Sequence, residues 1–515
     1  MPLADDGRPI AAVRGAPSDG GTGGSGGTGS DGGSPFLLAA IAALLIARIP
    51  VILVRAFDND EFEHSHAAWS VFKGLVPYRD FFEHHTPWYY FTLSPFFRWF
   101  PVAESFDAAR HFLIFGRLLS LALTALSVVL VFLVGRLGAS RRVGLLAGLF
   151  FVGQPVLIHK TLEIRPDVPA LTFFIGALWF LRHGLLAPQA SPTRRLRWFL
   201  GGGLCLGATV MCKQKMLFVL PGALVGLGLW VLAGARRDGR RTLASRTSAV
   251  LVLLLGIALP AVLTWIGFAL RGAGGQFIYN NFVLNARWGW RSGRHLSIIL
   301  RTSWPILLLG LLGAWAALFR HDRADERDDG DVLLLCTLGG LVAGLLVVPA
   351  AYEQYYLPAL TIACLYAARG LSLILDRSRH RARAWLVICA TVPLLIWPVV
   401  DLGSSLGERN DVQLSRLRFV FDHTGPAEPV LDGWLGTNVF RPPPHYYFFI
   451  HRELLSTLTA DEKDAYLDAL TSGRPALIAM DDELRALGPR FLQFVQRSYV
   501  SDDGLFYFPV KPKAQ

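Results

Sequence analysis

The chain has 515 residues, 52% of them hydrophobic and 17% charged, with a mean hydropathy of +0.40. Soluble domains carry roughly a quarter charged residues, so this composition excludes an ordinary soluble protein and points to an integral membrane protein. The net charge of +11 does not signal nucleic acid, because the arginines are grouped in short loops between apolar runs, where they report topology.

Residues 1–34 are mostly Gly, Ser, Thr and Asp, as in GGTGGSGGTGSDGGS, with almost nothing to bury. That composition predicts a disordered cytoplasmic tail. It lacks the compact basic start and small-residue cleavage site of a signal peptide, so the apolar run over 36–54 is read as a retained helix. Ten more apolar runs follow, near 111–135, 143–160, 168–183, 199–212, 217–234, 248–270, 298–319, 332–350, 355–375 and 385–402. Each approaches the length needed to cross roughly 30 Å of hydrocarbon; the Gly-rich 199–212 run is the weakest of them. The fold class expected is therefore an α-helical polytopic membrane protein with about 11 spans, filling 35–402.

Basic residues recur in alternate loops: Arg136, Arg141 and Arg142; Arg194, Arg195 and Arg197; Arg236, Arg237, Arg240, Arg241 and Arg246; Arg320, Arg323 and Arg327; Arg377, Arg379, Arg381 and Arg383. The positive-inside rule places these loops and the N-terminus in the cytoplasm. An odd number of spans leaves the C-terminus outside.

Between the first two spans lies a long external loop, 55–110. Within it, FDNDEFEHSHAAWSVFKGLVPYRDFFEHHTPWYY over 57–90 packs Asp58, Asp60, Glu61, Glu63, His64 and His66 into nine positions. Titratable groups are costly to hold beside hydrocarbon, so such a density points to a site. Phe62, His66, Trp69, Phe72 and Leu75 step by three and four, predicting an amphipathic helix on the membrane surface. The aromatic stretch Trp88 to Phe100, broken by Pro87, Pro95 and Pro101, suits an interfacial belt.

A carboxylate at this boundary can act as general base or bind a cation; the plainer reading of Asp58 is a helix cap. A second acidic junction, Glu163-Ile164-Arg165-Pro166-Asp167, leaves Asp167 at the mouth of the next helix, because Pro166 interrupts the chain there. A basic group on the same side comprises Lys213, Lys215, Arg271, Arg287, Arg291 and Arg294. Cations on that side run against the topological rule and suit phosphate oxygens, although ordinary anionic headgroups would serve as well. Glu83-His84-His85 and His64-x-His66 have metal-like donors, but adjacent histidines on an irregular loop more often hydrogen-bond, and no metal is expected. No HExxH, Walker or GxGxxG pattern occurs, which argues against zinc proteolysis and nucleotide hydrolysis. The five cysteines (Cys205, Cys212, Cys336, Cys364, Cys389) lie in or beside apolar runs and read as buried small hydrophobes.

Residues 403–515 read as a small extracytoplasmic α/β domain. PVLDGW and RPALIAMDDE suggest strands, ADEKDAYLDALTSG a helix closing on glycine, and FLQFVQRSYVSDDGLFYFPV a strand pair across an Asp-Gly turn.

These residues resemble the GT-C superfamily of membrane glycosyltransferases, most closely the branch holding protein O-mannosyltransferases and the lipid A aminoarabinose transferase. Asp60-Glu61 match the acidic pair that follows the first membrane helix in that family. Phe82-Glu83-His84-His85-Thr86-Pro87 resembles its Phe-Glu-Lys-Pro-Pro segment, whose lysine meets the donor phosphate, with histidine for lysine and one extra residue. Asp167 corresponds to a second acidic residue, and Tyr352 to Pro358 to a Tyr-Leu-Pro stretch opening a late helix. The similarity spans about 36–375.

The resemblance implies a sugar donor on a polyprenyl phosphate, presented from the outer leaflet of a bacterial inner membrane, and a lipid, protein or glycan acceptor. Asp60 or Asp58 would deprotonate the acceptor hydroxyl or amine, with Glu61 and Asp167 completing the acidic set and the sugar transferred with inversion. His84, His85, Lys213, Lys215, Arg287 and Arg291 would meet the donor phosphate, with no cofactor required. A transporter or flippase for lipid-linked saccharide, and a non-catalytic envelope assembly protein, remain as alternatives.

Overall fold

A computed structural model describes residues 34–186, 191–238, 240–287, 294–319, 328–348, 352–377, 394 and 396–510. Helices α1 (Ser34–Ile46) and α2 (Arg48–Val54) join as one 21-residue span. An arginine inside a membrane span needs partners within the protein. Arg48 is fully buried and finds them: it donates to Thr161 Oγ1 at 3.0 Å and to the Val152 carbonyl at 2.7 Å.

Helix α3 (Asn59–Phe72) starts at a capping box in which the Asp58 side chain accepts from backbone while Glu61 reaches back to the Asp58 N–H at 2.9 Å. The helix forms as predicted, but it does not lie open on a surface. Residues from the C-terminal region cover its apolar stripe: His66 stacks on Phe448 with ring centroids 4.2 Å apart, and Phe62 fills the space beside Gly436. The stripe that looked lipid-facing is an interface within the chain. Helix α4 (Trp88–Leu93) and the tight turn after it pack the aromatic stretch onto the next span, with Phe97 stacked on Phe112 at 3.9 Å.

The bundle continues through α5 (Phe106–Gly138), α6 (Arg141–Gly153), α7 (Pro155–Lys160), α8 (Asp167–Leu186), α9 (Pro192–Cys212), α10 (Val219–Asp238), α11 (Arg240–Ala269), the short α12 (Gly274–Ile278), α13 (Arg294–Phe319), α14 (Asp329–Val347) and α15 (Leu357–Arg377). α9 packs against both α8 and α11. At the α9–α11 crossing, a Cβ on Gly203 would fall 2.3 Å from the Leu253 carbonyl oxygen. Small residues of this kind let membrane helices approach closely.

Among the described residues, eight helices are long and apolar enough to cross a bilayer, and the chain is an integral multi-pass membrane protein. The run near 143–160 is helical but divides at Gln154, where Pro155 opens α7. The 199–212 run belongs to α9, whose first turns carry Arg194, Arg195 and Arg197. Of the run near 385–402, 385–393 and 395 lie outside the described residues, as does Cys389; the other four cysteines are free thiols.

The two ends of the bundle differ in chemistry. At one end Arg142 pairs with Asp376 at 3.0 Å, and Arg182, near the end of α8, meets Asp328 at 2.7 Å. Asp167 opens the same helix α8 fifteen residues earlier, about 22 Å away at 1.5 Å per residue. The acidic and lysine-rich segments gather at that second end.

There the C-terminal region adds a helix over Asp411–His423 and a four-stranded sheet of order β1-β2-β4-β3. β1 (Val430–Asp432) is parallel to β2 (Leu477–Ala479); β3 (Tyr499–Val500) and β2 each pair antiparallel with β4 (Phe506–Pro509). The predicted helix over 460–473 is present with its own capping box, Thr459 and Glu462. The expected closing strand pair is shorter than its sequence suggested, because 489–498 is a helix. Pro489 takes its first turn, and Phe491 and Val495 bury at i and i+4.

Candidate active site

Arg165 organises the site. It lies in the turn before α8, 1% exposed, and touches four carboxylates: Asp60 at 2.5 Å, Glu163 at 3.0 Å, Asp58 at 3.5 Å and Asp167 at 3.6 Å. Burial disfavours its charge, but the ring of Asp60, Asp58, Glu163 and Asp167 outweighs that and holds its pKa well above the usual arginine value. Lys160 bridges Asp58 and Glu163, each at 3.2 Å. Two aspartates separated by one residue thus share one guanidinium from a distant segment.

The environment separates their protonation. Burial works against the charge on Asp58, but Arg165 and Lys160 together prevail and hold its carboxyl well below the usual range. For Asp60, burial and then Asp58 outweigh the pull of Arg165, and its carboxyl is raised. Asp60 still has 30% of its side chain open to the cavity. A carboxylate raised toward neutrality and facing a cavity suits general-base work, while its neighbour stays ionised.

Glu61 has a different position. Although adjacent to Asp60, it turns away from the cavity and pairs with Arg117 of α5 at 2.6 and 2.9 Å, both side chains buried. Arg117 also donates to the carbonyls of Ile52, Arg55 and Ala56. The Ile164 N–H donates to Glu61 at 3.1 Å. Glu61 and Arg117 therefore rivet the end of α2, the start of α3, α5 and the 163–166 turn.

The cavity, about 230 Å³, is lined by Asp60, Glu63, His84, His85, Arg165, Lys213, Lys215, Tyr352, Gln354, Tyr355, Trp434, His451 and Glu453. Lys213, only 2% exposed, follows α9 and meets Asp167 at 3.3 Å. Lys215 donates to the Tyr355 hydroxyl and sits 4.5 Å over its ring. The 82–87 segment is held at its carbonyls: Gln214 and Asn285 donate to the His84 carbonyl at 2.6 and 2.8 Å, and Tyr78 to that of His85 at 2.7 Å. Burial comes first in pushing both imidazoles well below their usual range; Lys215, His451 and Lys213 add to it at His84, and His84, Lys213 and His64 at His85. The basic side chains left to face an anion in the cavity are therefore Arg165, Lys213 and Lys215.

A second, apolar hollow adjoins this cavity. Lys213, Lys215, Gln354 and Tyr355 line both, and Met216, Phe218, Leu341, Leu345, Val348 and Pro358 continue the second between α10, α14 and α15.

A family profile described as dolichyl-phosphate-mannose-protein mannosyltransferase matches residues 110–266. The structure is similar to ArnT from Cupriavidus metallidurans bound to undecaprenyl phosphate, at 12% identity and a TM-score of 0.62, covering 93% of this chain and 98% of that one. It is also similar to the oligosaccharyltransferase AglB from Archaeoglobus fulgidus, solved with an inhibitory peptide and a dolichol-phosphate. That match has 12% identity and a TM-score of 0.58, over 94% of this chain and 75% of that one. No curated protein matches the sequence. The chain has the fold of the GT-C superfamily.

Within this GT-C fold, Asp58, Asp60, Asp167, His84, His85, Lys213 and Lys215 converge at the cavity end, while Glu61 is turned into the bundle. Arg287 is exposed and packs on Tyr279 at 5.6 Å, outside the cavity lining. Arg291 lies outside the described residues. Sequence reasoning placed Glu63 in the acidic cluster without a role of its own and gave none to Arg165, Trp434, His451 or Glu453. Glu63 carried a usable signal, since it sits three residues beyond Asp60 on one face of α3. Trp434 carried a weaker one, an aromatic on an Asp-Gly turn after β1; its loop is tied down by Asp481, which accepts the Trp434 N–H at 2.6 Å.

Proposed function

We propose that the chain is a glycosyltransferase that moves a sugar from a polyprenyl-phosphate donor to an envelope acceptor on the outer face of the membrane. The observation that carries this reading is the pair of lysines shared by the polar cavity and the apolar hollow. A phosphate held at Lys213 and Lys215 places its sugar beside Asp60 and its lipid tail between α10, α14 and α15. Lipid-phosphate ligands in the similar ArnT and AglB structures support the same donor class. The arginine-bearing loops at the opposite end of the bundle support a cavity facing outward.

In this reading Asp60 takes the proton from an acceptor hydroxyl or amine as that atom attacks the anomeric carbon. The bond from that carbon to the phosphate oxygen breaks, its electron pair leaves with the phosphate, and the configuration inverts. Lys213, Lys215 and Arg165 are held in place by Asp167, Tyr355 and the aspartates before the reaction and offset the growing phosphate charge. Asp58 stays ionised and holds Lys160 and Arg165 in place. Trp434, His451 and Glu453, contributed by the C-terminal region, face the acceptor side.

The test uses purified protein with a labelled polyprenyl-phosphate sugar. Release of free polyprenyl phosphate, dependent on an added acceptor extract, is expected. An intact donor with every lipid-linked sugar tried, together with its movement across proteoliposomes, would refute the transferase reading and establish transport.

A further inference from the structure

We propose that Glu63, Glu83, His84 and His85 form a binding site for one divalent cation of the zinc class. Each supplies one donor atom, and the four atoms lie within 4.8 Å of one another. Two elements contribute: Glu63 comes from α3, and the other three from the 82–87 segment. Four of the donor–donor distances are 3.0 Å (Glu83 Oε1 to His85 Nδ1), 3.6 Å (Glu63 Oε1 to His84 Nδ1), 3.7 Å (Glu63 Oε1 to His85 Nδ1) and 3.8 Å (Glu83 Oε1 to His84 Nδ1). A tetrahedral zinc with ligands at about 2.0–2.1 Å has ligand–ligand edges of about 3.3–3.4 Å. These four separations are within about half an ångström of that edge, and the remaining pairs, no more than 4.8 Å apart, need only a further inward rotation of the side chains.

A second observation points to a cation. Glu63 is 5% exposed, and its Oε1, aimed at the two imidazoles, receives no hydrogen bond. A buried carboxylate oxygen without a donor is costly, and a second carboxylate beside it adds repulsion. Hydrogen bonding alone explains the His85–Glu83 contact, but it leaves Glu63 unaccounted for. A cation at the centre satisfies both acids at once. Mixed imidazole and carboxylate donors select zinc or cobalt over magnesium or calcium, which prefer all-oxygen shells.

The outer contacts are also those of a metal site. The backbone N–H groups of His84 and His85 donate to Glu83 Oε1 at 2.8 and 2.9 Å and orient that carboxylate, while Gln214, Asn285 and Tyr78 fix the carbonyls of the two histidines. Four protein donors close the coordination shell. The ion then acts as a clamp between α3 and the 82–87 segment, which sets the cavity wall, and not as a Lewis acid meeting substrate. This contrasts with the expectation from sequence, where adjacent histidines on a loop argued against a metal. Folding brings in the missing fourth ligand, Glu63.

The site does not depend on the transferase reading, and its test does not use turnover. The full-length protein, purified in detergent and stripped with chelator, is titrated with cobalt(II) chloride. One cobalt per chain with the intense visible bands of four-coordinate Co(II) is expected, with displacement by zinc and a melting temperature raised by several degrees. Glu63→Gln and His85→Ala should each weaken cobalt binding by at least tenfold. No retained cobalt and an unmoved melting temperature in the wild-type protein would overturn the proposal, as would full stoichiometry in Glu63→Gln. Because wild-type protein decides the first point, a variant that fails to fold does not rescue the idea.

Discussion

Asp60→Asn separates a chemical role for Asp60 from a structural one. The amide keeps the shape of the side chain and one oxygen for Arg165, but it cannot take a proton. A positioned general base contributes roughly 10²- to 10⁴-fold, or about 3–5 kcal/mol of barrier. Removing one partner of a buried ion pair can itself cost about 3–5 kcal/mol when it strands a charge. Here it does not, because Arg165 keeps Glu163 at 3.0 Å, Asp58 at 3.5 Å and Asp167 at 3.6 Å. The expected loss of stability is therefore within about 1 kcal/mol, in the ordinary range for substitutions that leave no unpaired group. In the polyprenyl-phosphate release assay, kcat should fall about 10²- to 10⁴-fold, with KM for the donor within about threefold and the melting temperature nearly unchanged. The raised carboxyl of Asp60 adds a pH signature. Wild-type kcat/KM should climb with pH through an apparent pKa above the usual carboxylate range, and the variant should lose that limb. Turnover within threefold of wild type would refute the assignment, and so would a drop in activity matched by a collapse in thermal stability.

Arg117→Leu strands Glu61 in the bundle without the donors that now reach it at 2.6 and 2.9 Å; about 3–5 kcal/mol of destabilisation is expected, and a melting temperature within a degree of wild type would contradict the rivet. Gly436→Ala is expected to loosen the C-terminal region from α3, since Gly436 has φ +79 and an added Cβ would lie 2.1 Å from the Phe62 ring. Faster proteolysis near 403–440 would report that loosening, and unchanged protection would argue against it. Asp432 is buried and raised to about 6, by burial first and then Asp481. Its folded pKa exceeds its unfolded one, so the folded form binds the extra proton, and stability falls by up to about 3 kcal/mol as pH rises from about 4 to 6. Asp432→Asn should flatten that slope in melting experiments; a slope equal to wild type would show that Asp432 does not titrate in this window.

Much of the molecule was readable locally. Apolar runs, arginine-bearing loops and the acidic junctions report on membrane crossing and on the end of the bundle where polar groups gather, because each depends on residue type within one segment. That is why the sequence singles out Asp60, Asp167, Lys213 and Lys215, which the fold then brings to one end of the bundle. The helix over 489–498 was missed because a short apolar stretch fits a strand as well as a helix, and only its buried i, i+4 pair distinguishes them.

What the sequence by itself determined is therefore the membrane class, the positions of most spans and the end of the bundle where the titratable side chains gather. Tertiary structure alone decided the pairing. Asp60 and Glu61 are neighbours of the same charge, yet one meets Arg165 at the cavity and the other meets Arg117 inside the bundle. The helical rotation between successive residues points them in different directions, and the packing of distant helices determines which cation each one reaches. The same physics covers α3 with residues from far along the chain, as His66 shows by bonding the Val439 carbonyl, 373 positions away, at 3.0 Å. It also brings Glu63 to His84 and His85, which periodicity along one segment does not encode.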